Sequence, residues 1–189
     1  MEHETMNDDE LAIQALRELF RQRGNLAYGE AVTQLEHALQ CGAVAEADGA
    51  APALVVASVL HDVGHFLHTD AAGALANSVD DRHEALGANW LRGWFPESVT
   101  TPIALHVEAK RYLCHAEPEY LAGLSPVSIA TLRLQGGPMS KEEAARFLAR
   151  PFAADAIRLR RYDEAGKVAG ARTPALEHFL AIARTCRAS

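Results

Sequence analysis

The stretch Val59-Leu60-His61-Asp62-Val63-Gly64-His65 closes an apolar run and restricts both the fold and the chemistry of the chain. Proline suits the first turn of a helix, so Pro52 predicts a helix that runs to about Asp62 and is broken by Gly64. Neighbours on a helix point about 100° apart, so His61 and Asp62 can converge on a metal ion only where the helix ends. Alone, the pair is more typical of a C-terminal histidine beside a solvated carboxylate than of a metal site.

Hydrophobic periodicity predicts further helices on both sides of this stretch. They lie around 11–20 with a stop near Gly24, around 35–48, over 82–94 and 96–107, after the capping box Ser140-x-x-Glu143, and from Thr173-Pro174 onward. A loop is expected over 69–81, where alanine, glycine, asparagine and aspartate are frequent. Alternating strand patterns are scarce, so the sequence predicts an all-α fold.

Composition narrows the class of protein. The chain has 189 residues, 49% of them hydrophobic, which is enough for one core. A net charge of −7 without a basic stripe makes nucleic acid and anionic membranes poor partners. Three widely spaced cysteines predict reduced thiols, and the polar N-terminus and short apolar runs predict neither a signal peptide nor a membrane span. We therefore expect a globular, cytoplasmic protein with no nucleic-acid or membrane partner.

Other residues of metal-ligand type fall at helical positions. His37 lies on the second predicted helix, His83 starts a helix, His106 ends one, and Asp163 lies in a late segment. Each of them alone is more typical of a buried or surface residue than of a ligand. Together with the His61-Asp62 pair they form one ordered series along the chain.

This series resembles the signature of the HD-domain superfamily, an all-helical metal-binding fold, and its two additional histidines resemble the dinuclear members. The resemblance implies an HD-domain helical bundle that forms a single domain over 1–189, with a metal-binding core at about 31–165 and a C-terminal helix at 173–187. Most members are phosphohydrolases, and a smaller branch comprises mixed-valent diiron oxygenases.

Five longer segments resemble the oxygenases of that branch that cleave 1-hydroxyphosphonates. They are QLEHALQ (34–40), HDVGH (61–65), HVEAKRYL (106–113), LQGGPMS (134–140) and RRYDE (160–164). The likeness implies an enzyme that uses an Fe(II)/Fe(III) pair and O2 to break the C–P bond of a small organophosphonate and release phosphate. It also implies that a separate hydroxylase makes the substrate.

The resemblance assigns six metal ligands. One iron would be held by His37, His61, Asp62 and Asp163, and the other by Asp62, His83 and His106. Imidazole and carboxylate donors suit iron, although these donor types alone do not exclude manganese or zinc.

The same resemblance assigns the residues around the substrate. The phosphonate would be bound by Lys110, Ser128, Thr131, Gln135 and Arg160. Lys110 follows His106 by four residues, so it points to the same side if the helix continues. His65 would donate a hydrogen bond to the substrate or orient a ligand. Asp62, His65 and Lys110 are the expected catalytic residues.

In the members of this branch that form glycine, the corresponding segment reads Tyr-x-Gly-Glu. The segment Ala27-Tyr28-Gly29-Glu30 departs from that pattern, because its tyrosine stands next to the glycine. Glu30 keeps the carboxylate expected near the substrate's amine. A trimethylammonium group has no N–H and needs charge and aromatic faces, which Tyr28 or Tyr162 could supply.

We therefore expect 1-hydroxy-2-(trimethylammonio)ethylphosphonate as the substrate, with glycine betaine as the product. The 2-amino-1-hydroxyethyl analogue, which would give glycine, is the alternative. A metal-dependent phosphohydrolase, which needs the same ligands and no O2, and a module that only senses a nucleotide or metal are the other hypotheses.

Overall fold

The computed structural model describes residues 8–27, 31–67 and 82–187. Its named elements are helices: α1 (Asp8–Arg23), α2 (Gln34–Ala47), α3 (Pro52–Leu60), α4 (Val63–Leu67), α5 (His83–Leu91), α6 (Glu97–Ala116), α7 (Pro118–Gly123), α8 (Pro126–Leu134), α9 (Lys141–Leu148), α10 (Ala153–Ala165) and α11 (Leu176–Thr185). Within the described ranges, β pairing is limited to an isolated antiparallel bridge between Ala27 and Thr33. The predicted all-α fold is confirmed.

Helix α3 lies at the centre of the molecule. Its residues from Leu54 to Leu60 are all buried, and it packs against α2, α6, α10 and α11. A helix enclosed on every side needs apolar residues on every side, which explains its unbroken hydrophobic sequence. Because α3 is central, the His61-Asp62 turn that ends it lies inside the protein, where both residues are buried.

Two predicted helix starts depend on capping boxes. Thr33 accepts a hydrogen bond from the Glu36 N–H (3.2 Å) and its own N–H donates to the Glu36 carboxylate (2.7 Å). Ser140 and Glu143 make the equivalent pair at α9, as the sequence predicts. The first of these boxes places His37 in the opening turn of α2.

Two helix ends differ from the predictions. Helix α6 does not end at Val107 but continues to Ala116, since residues 108–116 contain no helix-breaking residue. The last helix begins at Leu176 rather than at Thr173, because the backbone at Ala175 is still extended (ψ 160°). The longer α6 carries Lys110 along the same helix as His106.

The prediction that Gly64 breaks the helix is wrong. The interruption lies one turn earlier, at His61-Asp62, and Gly64 is inside α4. A Cβ added at Gly64 would lie 1.9 Å from the carbonyl oxygen of His83, and one at Gly87 would lie 3.0 Å from the Gly64 nitrogen. Glycine is therefore needed here because the backbones of α4 and α5 touch.

Two predictions from composition concern the cysteines and the membrane. Cys41, Cys114 and Cys186 are all free thiols, as predicted. No helix in the described parts of the chain combines the length and the apolar character that crossing a bilayer requires.

We expect Gly64→Ala to lower the free energy of unfolding of the metal-free protein by more than about 2 kcal/mol, because α4 and α5 must separate to admit the methyl group. Urea unfolding followed by circular dichroism measures the change. Gly93→Ala is the control, since an added Cβ there meets nothing within 4 Å. Equal stability of the two variants would contradict the close packing of α4 on α5.

Candidate metal centre

The structure brings the six predicted metal ligands to one buried point. They come from α2, the turn after α3, the start of α5, α6 and α10, and all six are buried: His37, His61, Asp62, His83, His106 and Asp163. Five segments distant in sequence therefore meet at the end of the central helix.

Backbone carbonyls orient three of the four histidines. His37 Nδ1 lies 2.9 Å from the Gly166 oxygen, His61 Nδ1 lies 2.9 Å from the Ser58 oxygen, and His106 Nδ1 lies 2.8 Å from the Ile103 oxygen. A carbonyl oxygen only accepts hydrogen bonds, so each Nδ1 carries the hydrogen. Each Nε2 is left with a lone pair, which is the form in which imidazole binds a metal.

The Nε2 atoms of the four histidines lie close together in two pairs. The Nε2 atoms of His37 and His61 are 3.4 Å apart, and those of His83 and His106 are 3.2 Å apart. Burial lowers the pKa of His37 and holds that of His106 well below its usual range, so both rings favour the neutral form. At His37 and His61 the carbonyl partners of Nδ1 leave both Nε2 lone pairs facing each other, and such buried lone pairs repel unless a cation lies between them.

Asp62 lies between the two pairs. Its Oδ2 is 3.4 Å from His61 Nε2 and 3.7 Å from His37 Nε2. Its Oδ1 is 3.4 Å from His83 Nε2 and 3.8 Å from His106 Nε2. Donor atoms that share one ion at about 2.1 Å lie about 3–4 Å from each other. Each carboxylate oxygen of Asp62 is therefore spaced to share a cation with one histidine pair.

Asp163 joins the first pair. Its Oδ1 is 3.5 Å from His37 Nε2 and its Oδ2 is 3.8 Å from His61 Nε2. Burial alone would raise the pKa of Asp163, but the charge of Arg160 and the neighbouring His61 lower it below its ordinary value. The first group thus offers four donors and the second offers three. The second side leaves more coordination positions for a substrate or for O2.

His65 lies at the edge of the second group. Its ring stacks on that of His83, with centroids 3.9 Å apart and planes 17° apart. Its Nε2 is 3.9 Å from Asp62 Oδ1, and a quarter of its side chain is exposed. This position would let His65 contact both the predicted metal ligand His83 and a substrate that enters from solvent.

Two buried, positively charged side chains lie beside the first group. The buried Lys110 donates to Thr131 Oγ1 (3.0 Å). Arg160, also buried, donates to the Tyr120 hydroxyl (2.8 Å), to Asp163 and to Glu164. Burial, and then the charge of Arg160, lower the pKa of Lys110 to about 8. We call Lys110, Arg160 and the hydroxyl residues Ser128 and Thr131 of α8 the anion wall.

Known proteins with similar sequences cover most of the chain. It is 42% identical over 177 residues to a hydroxymethylphosphonate dioxygenase of Gimesia maris, which covers 92% of this chain and 87% of that protein. It is 43% identical over 162 residues to the glycine-betaine-forming [1-hydroxy-2-(trimethylamino)ethyl]phosphonate dioxygenase of Leisingera caerulea, over 85% of this chain and 83% of the relative. This chain belongs to the phosphonate dioxygenase family.

The dioxygenase also has a relative without a functional name. An uncharacterized protein of Acanthamoeba polyphaga mimivirus is 33% identical over 164 residues, which is 85% of this chain and 75% of the relative. No protein-family model matches the chain. The predicted resemblance is confirmed by the two named relatives, and the comparisons do not favour a phosphohydrolase.

The remaining predicted site residues have different outcomes. Ser128 and Thr131 lie one turn apart on α8 and belong to the anion wall, and their contact with a phosphonate stays a prediction. Gln135 follows α8, and its buried Oε1 has no hydrogen-bond partner among the described residues. Tyr28, Glu30 and the expected loop at 69–81 lie outside the described residues. Tyr162, the other aromatic considered for the amine, donates to Asp48 instead (2.5 Å).

The sequence analysis missed several residues that support the dioxygenase's site. The side-chain amide of Gln40 makes two hydrogen bonds to the backbone of Val168. Its nitrogen donates to the Val168 carbonyl oxygen (3.0 Å), and its oxygen accepts from the Val168 N–H (2.9 Å). This holds the segment whose Gly166 carbonyl orients His37. Lys167 donates to Ser128 Oγ (3.3 Å) and to Glu164 (3.0 Å). The sequence offers one signal: Gln40 follows His37 by three residues.

We expect Lys110→Met to stabilise the metal-free dioxygenase by about 2–3 kcal/mol at pH 7, because lowering a lysine pKa from 10.5 to about 8 reflects a cost of that order for the buried charge. The folded-state pKa lies below the unfolded one, so the cost is fully present below pH 8. It disappears as the pH rises from 8 towards 10.5.

Urea unfolding of wild type and variant at pH 7 and pH 10 measures this difference. The exposed Lys141→Met is the control and should change stability by no more than about 0.5 kcal/mol. A Lys110→Met variant that is less stable than wild type at pH 7 would contradict a net cost for the buried ammonium.

Proposed function

We propose that this protein is a diiron dioxygenase that cleaves the C–P bond of a 1-hydroxyphosphonate. The reaction R–CH(OH)–PO3²⁻ + O2 gives R–COO⁻, phosphate and a proton, with both atoms of O2 in the products. The observation that carries the proposal is a direct contact: Arg160 of the anion wall donates to Asp163 of the first donor group. A dianion held at this wall would lie beside the first group of metal donors.

The donor set supports iron as the metal. Four imidazole nitrogens and two carboxylates suit iron in either oxidation state, and Asp62 has one oxygen towards each histidine pair. We assign one iron to His37, His61, Asp62 and Asp163 and the other to Asp62, His83 and His106. When bound, the mixed-valent pair would supply the redox chemistry with O2 that the protein side chains cannot perform.

The protein's own residues would bind and orient the substrate. Lys110 and Arg160 offer charge-assisted hydrogen bonds to the phosphonate oxygens. Gln135, whose amide oxygen has no hydrogen-bond partner among the described residues, lies at the end of α8, the helix that carries Ser128 and Thr131. His65, stacked on His83 beside Asp62, would donate to the substrate's C1 hydroxyl or orient the second group. Low solvent access to the donors keeps water away from the reacting carbon.

We place 1-hydroxy-2-(trimethylammonio)ethylphosphonate first among substrates, and the 2-amino-1-hydroxyethyl analogue is the alternative from the sequence. A third candidate is hydroxymethylphosphonate, because the relative named for it is as similar to this chain as the glycine-betaine-forming one. A separate hydroxylase would introduce the C1 hydroxyl group. The three free cysteines support the expected cytoplasmic location.

Anaerobic loading with ferrous iron, followed by air and each of the three phosphonates, tests the activity. We expect phosphate release to equal O2 uptake, and the substrate with the highest kcat/KM identifies the group on C1. His83→Ala should lower turnover at least about 100-fold, since it removes one of three donors on the second side. His178→Ala, an exposed histidine beside Glu46, is the control.

Phosphate release from phosphoesters without O2, and none from phosphonates, would replace the dioxygenase with a phosphohydrolase. Turnover undiminished in His83→Ala would overturn the assignment of the second metal position.

Metal stoichiometry tests the two-ion assignment without turnover. We expect two ferrous ions per chain in wild type and about one in His106→Ala, because the four donors of the first group remain. Gel filtration under nitrogen followed by elemental analysis gives the count, and His178→Ala should keep two ions. An unchanged count in His106→Ala would contradict the division of donors around Asp62.

A further inference from the structure

Lys167 is a third cation beside the anion wall, and the sequence resemblance assigns it no role. Its ammonium donates to Ser128 Oγ (3.3 Å) and to Glu164 Oε1 (3.0 Å) and lies 3.8 Å from Asp163 Oδ1. Only 13% of its side chain is exposed. Lysine is among the residues least often buried in proteins, so a lysine held in this way needs a reason.

The backbone around Lys167 is fixed from two sides. The Gly166 N–H donates to the carbonyl oxygens of Tyr162 (2.9 Å) and Asp163 (3.2 Å), and the Gly166 oxygen accepts from His37 Nδ1. The next residue, Val168, is bound in both directions by Gln40. The position of Lys167 is thus tied to the helix that carries His37 rather than left to a free loop.

Ser128 is prepared to donate a hydrogen bond. Its oxygen accepts from Lys167, and among the described residues its own hydroxyl hydrogen meets no acceptor. Lys110 makes a similar contact with Thr131 Oγ1 one turn further along α8, but the Thr131 hydroxyl already donates to the Ser128 carbonyl oxygen (3.1 Å). Ser128 is therefore the one of these two hydroxyls with a hydrogen left to donate. A phosphonate has three oxygens that accept hydrogen bonds, so Lys110 and the Ser128 hydroxyl can serve one ligand.

The local balance of charge also depends on Lys167. Lys110, Arg160 and Lys167 bring three positive charges, and Asp163 and Glu164 bring two negative ones. Without Lys167 the protein's own charges at this wall would sum to zero. A wall that binds a dianion gains from the excess positive charge.

We infer that Lys167 is a positioning residue for the phosphonate: it fixes the Ser128 hydroxyl as a donor and keeps the summed charge of the five ionised side chains named above positive. The inference rests on the proposed function, because it takes the phosphonate as the anion at this wall. Under this inference Lys167 strengthens substrate binding and has little influence on metal binding or on the rate of the chemical step.

Kinetics of the iron-loaded enzyme test this role with Lys167→Met, Lys167→Arg and the exposed control Lys141→Met. For Lys167→Met we expect KM for the hydroxyphosphonate to rise about tenfold, as loss of one charge-assisted hydrogen bond predicts. We expect kcat to change less than about twofold, the iron content to match wild type, and Lys167→Arg to recover most of the loss in KM.

A double-mutant cycle separates the route through Ser128 from a general loss of charge. If Lys167 acts by fixing the hydroxyl, Lys167→Met should raise KM clearly less in a Ser128→Ala background than in wild type. Full additivity of the two changes would overturn the role through Ser128. An unchanged KM, or a loss of iron and kcat without a change in KM, would overturn the inference as a whole.

Binding of inorganic phosphate tests the role of Lys167 without any need for catalytic turnover. Calorimetric titration of metal-loaded wild type with phosphate should give a dissociation constant about tenfold lower than for Lys167→Met, with Lys141→Met equal to wild type. If wild type binds phosphate but cleaves no phosphonate, the proposed function fails while this comparison still decides the role of Lys167. Equal affinity of wild type and Lys167→Met contradicts that role.

Discussion

The rest of this structure depends on one buried carboxylate. Asp62 lies at the end of the central helix with imidazole nitrogens on both sides and almost no access to water. Burial alone would raise its pKa, but the surrounding histidines, His61 first, hold it well below its ordinary value, so the carboxylate stays ionised. An ionised group in such a place needs compensating positive charge. Five segments of the fold come together around it, and in our proposal metal ions supply that charge.

Orientation of the donors comes from helix geometry rather than from further side chains. The carbonyls that bind His61 and His106 belong to residues three positions earlier in the chain, Ser58 and Ile103. His37 instead depends on a distant carbonyl, that of Gly166, after the end of α10. A Cβ at Gly166 would lie 2.5 Å from Cys41 Sγ, so only glycine lets the segment approach α2 closely enough. The buried Cys41 is thus a packing contact of the site, and burial raises its pKa well above the usual value.

The sequence predicts the fold class and the candidate ligands because both depend on local pattern. An unbroken apolar run predicts a central helix, and the ordered series of histidines and aspartates resembles a known family. The sequence is misleading at Gly64, because a glycine required by contact between two backbones looks like one that ends a helix. It does not reveal the partners of Lys167 and Gln40, which lie 39 and 128 residues away. Such contacts follow only from the tertiary packing of α2, α8 and α10.

The elements that carry the site bear on how the family varies. The donors and the anion wall come from helices and from the turn after α3, so the core fixes the positions that we propose for the metals and the phosphonate. The two named relatives are named for substrates that differ only in the group on C1, yet both are about equally similar to this chain. A shared core that binds the common phosphonate and C1 hydroxyl accounts for that similarity. We expect other residues to select the group on C1, and the sequence segment with Tyr28 and Glu30 carries the side chains whose chemistry suits a cationic amine.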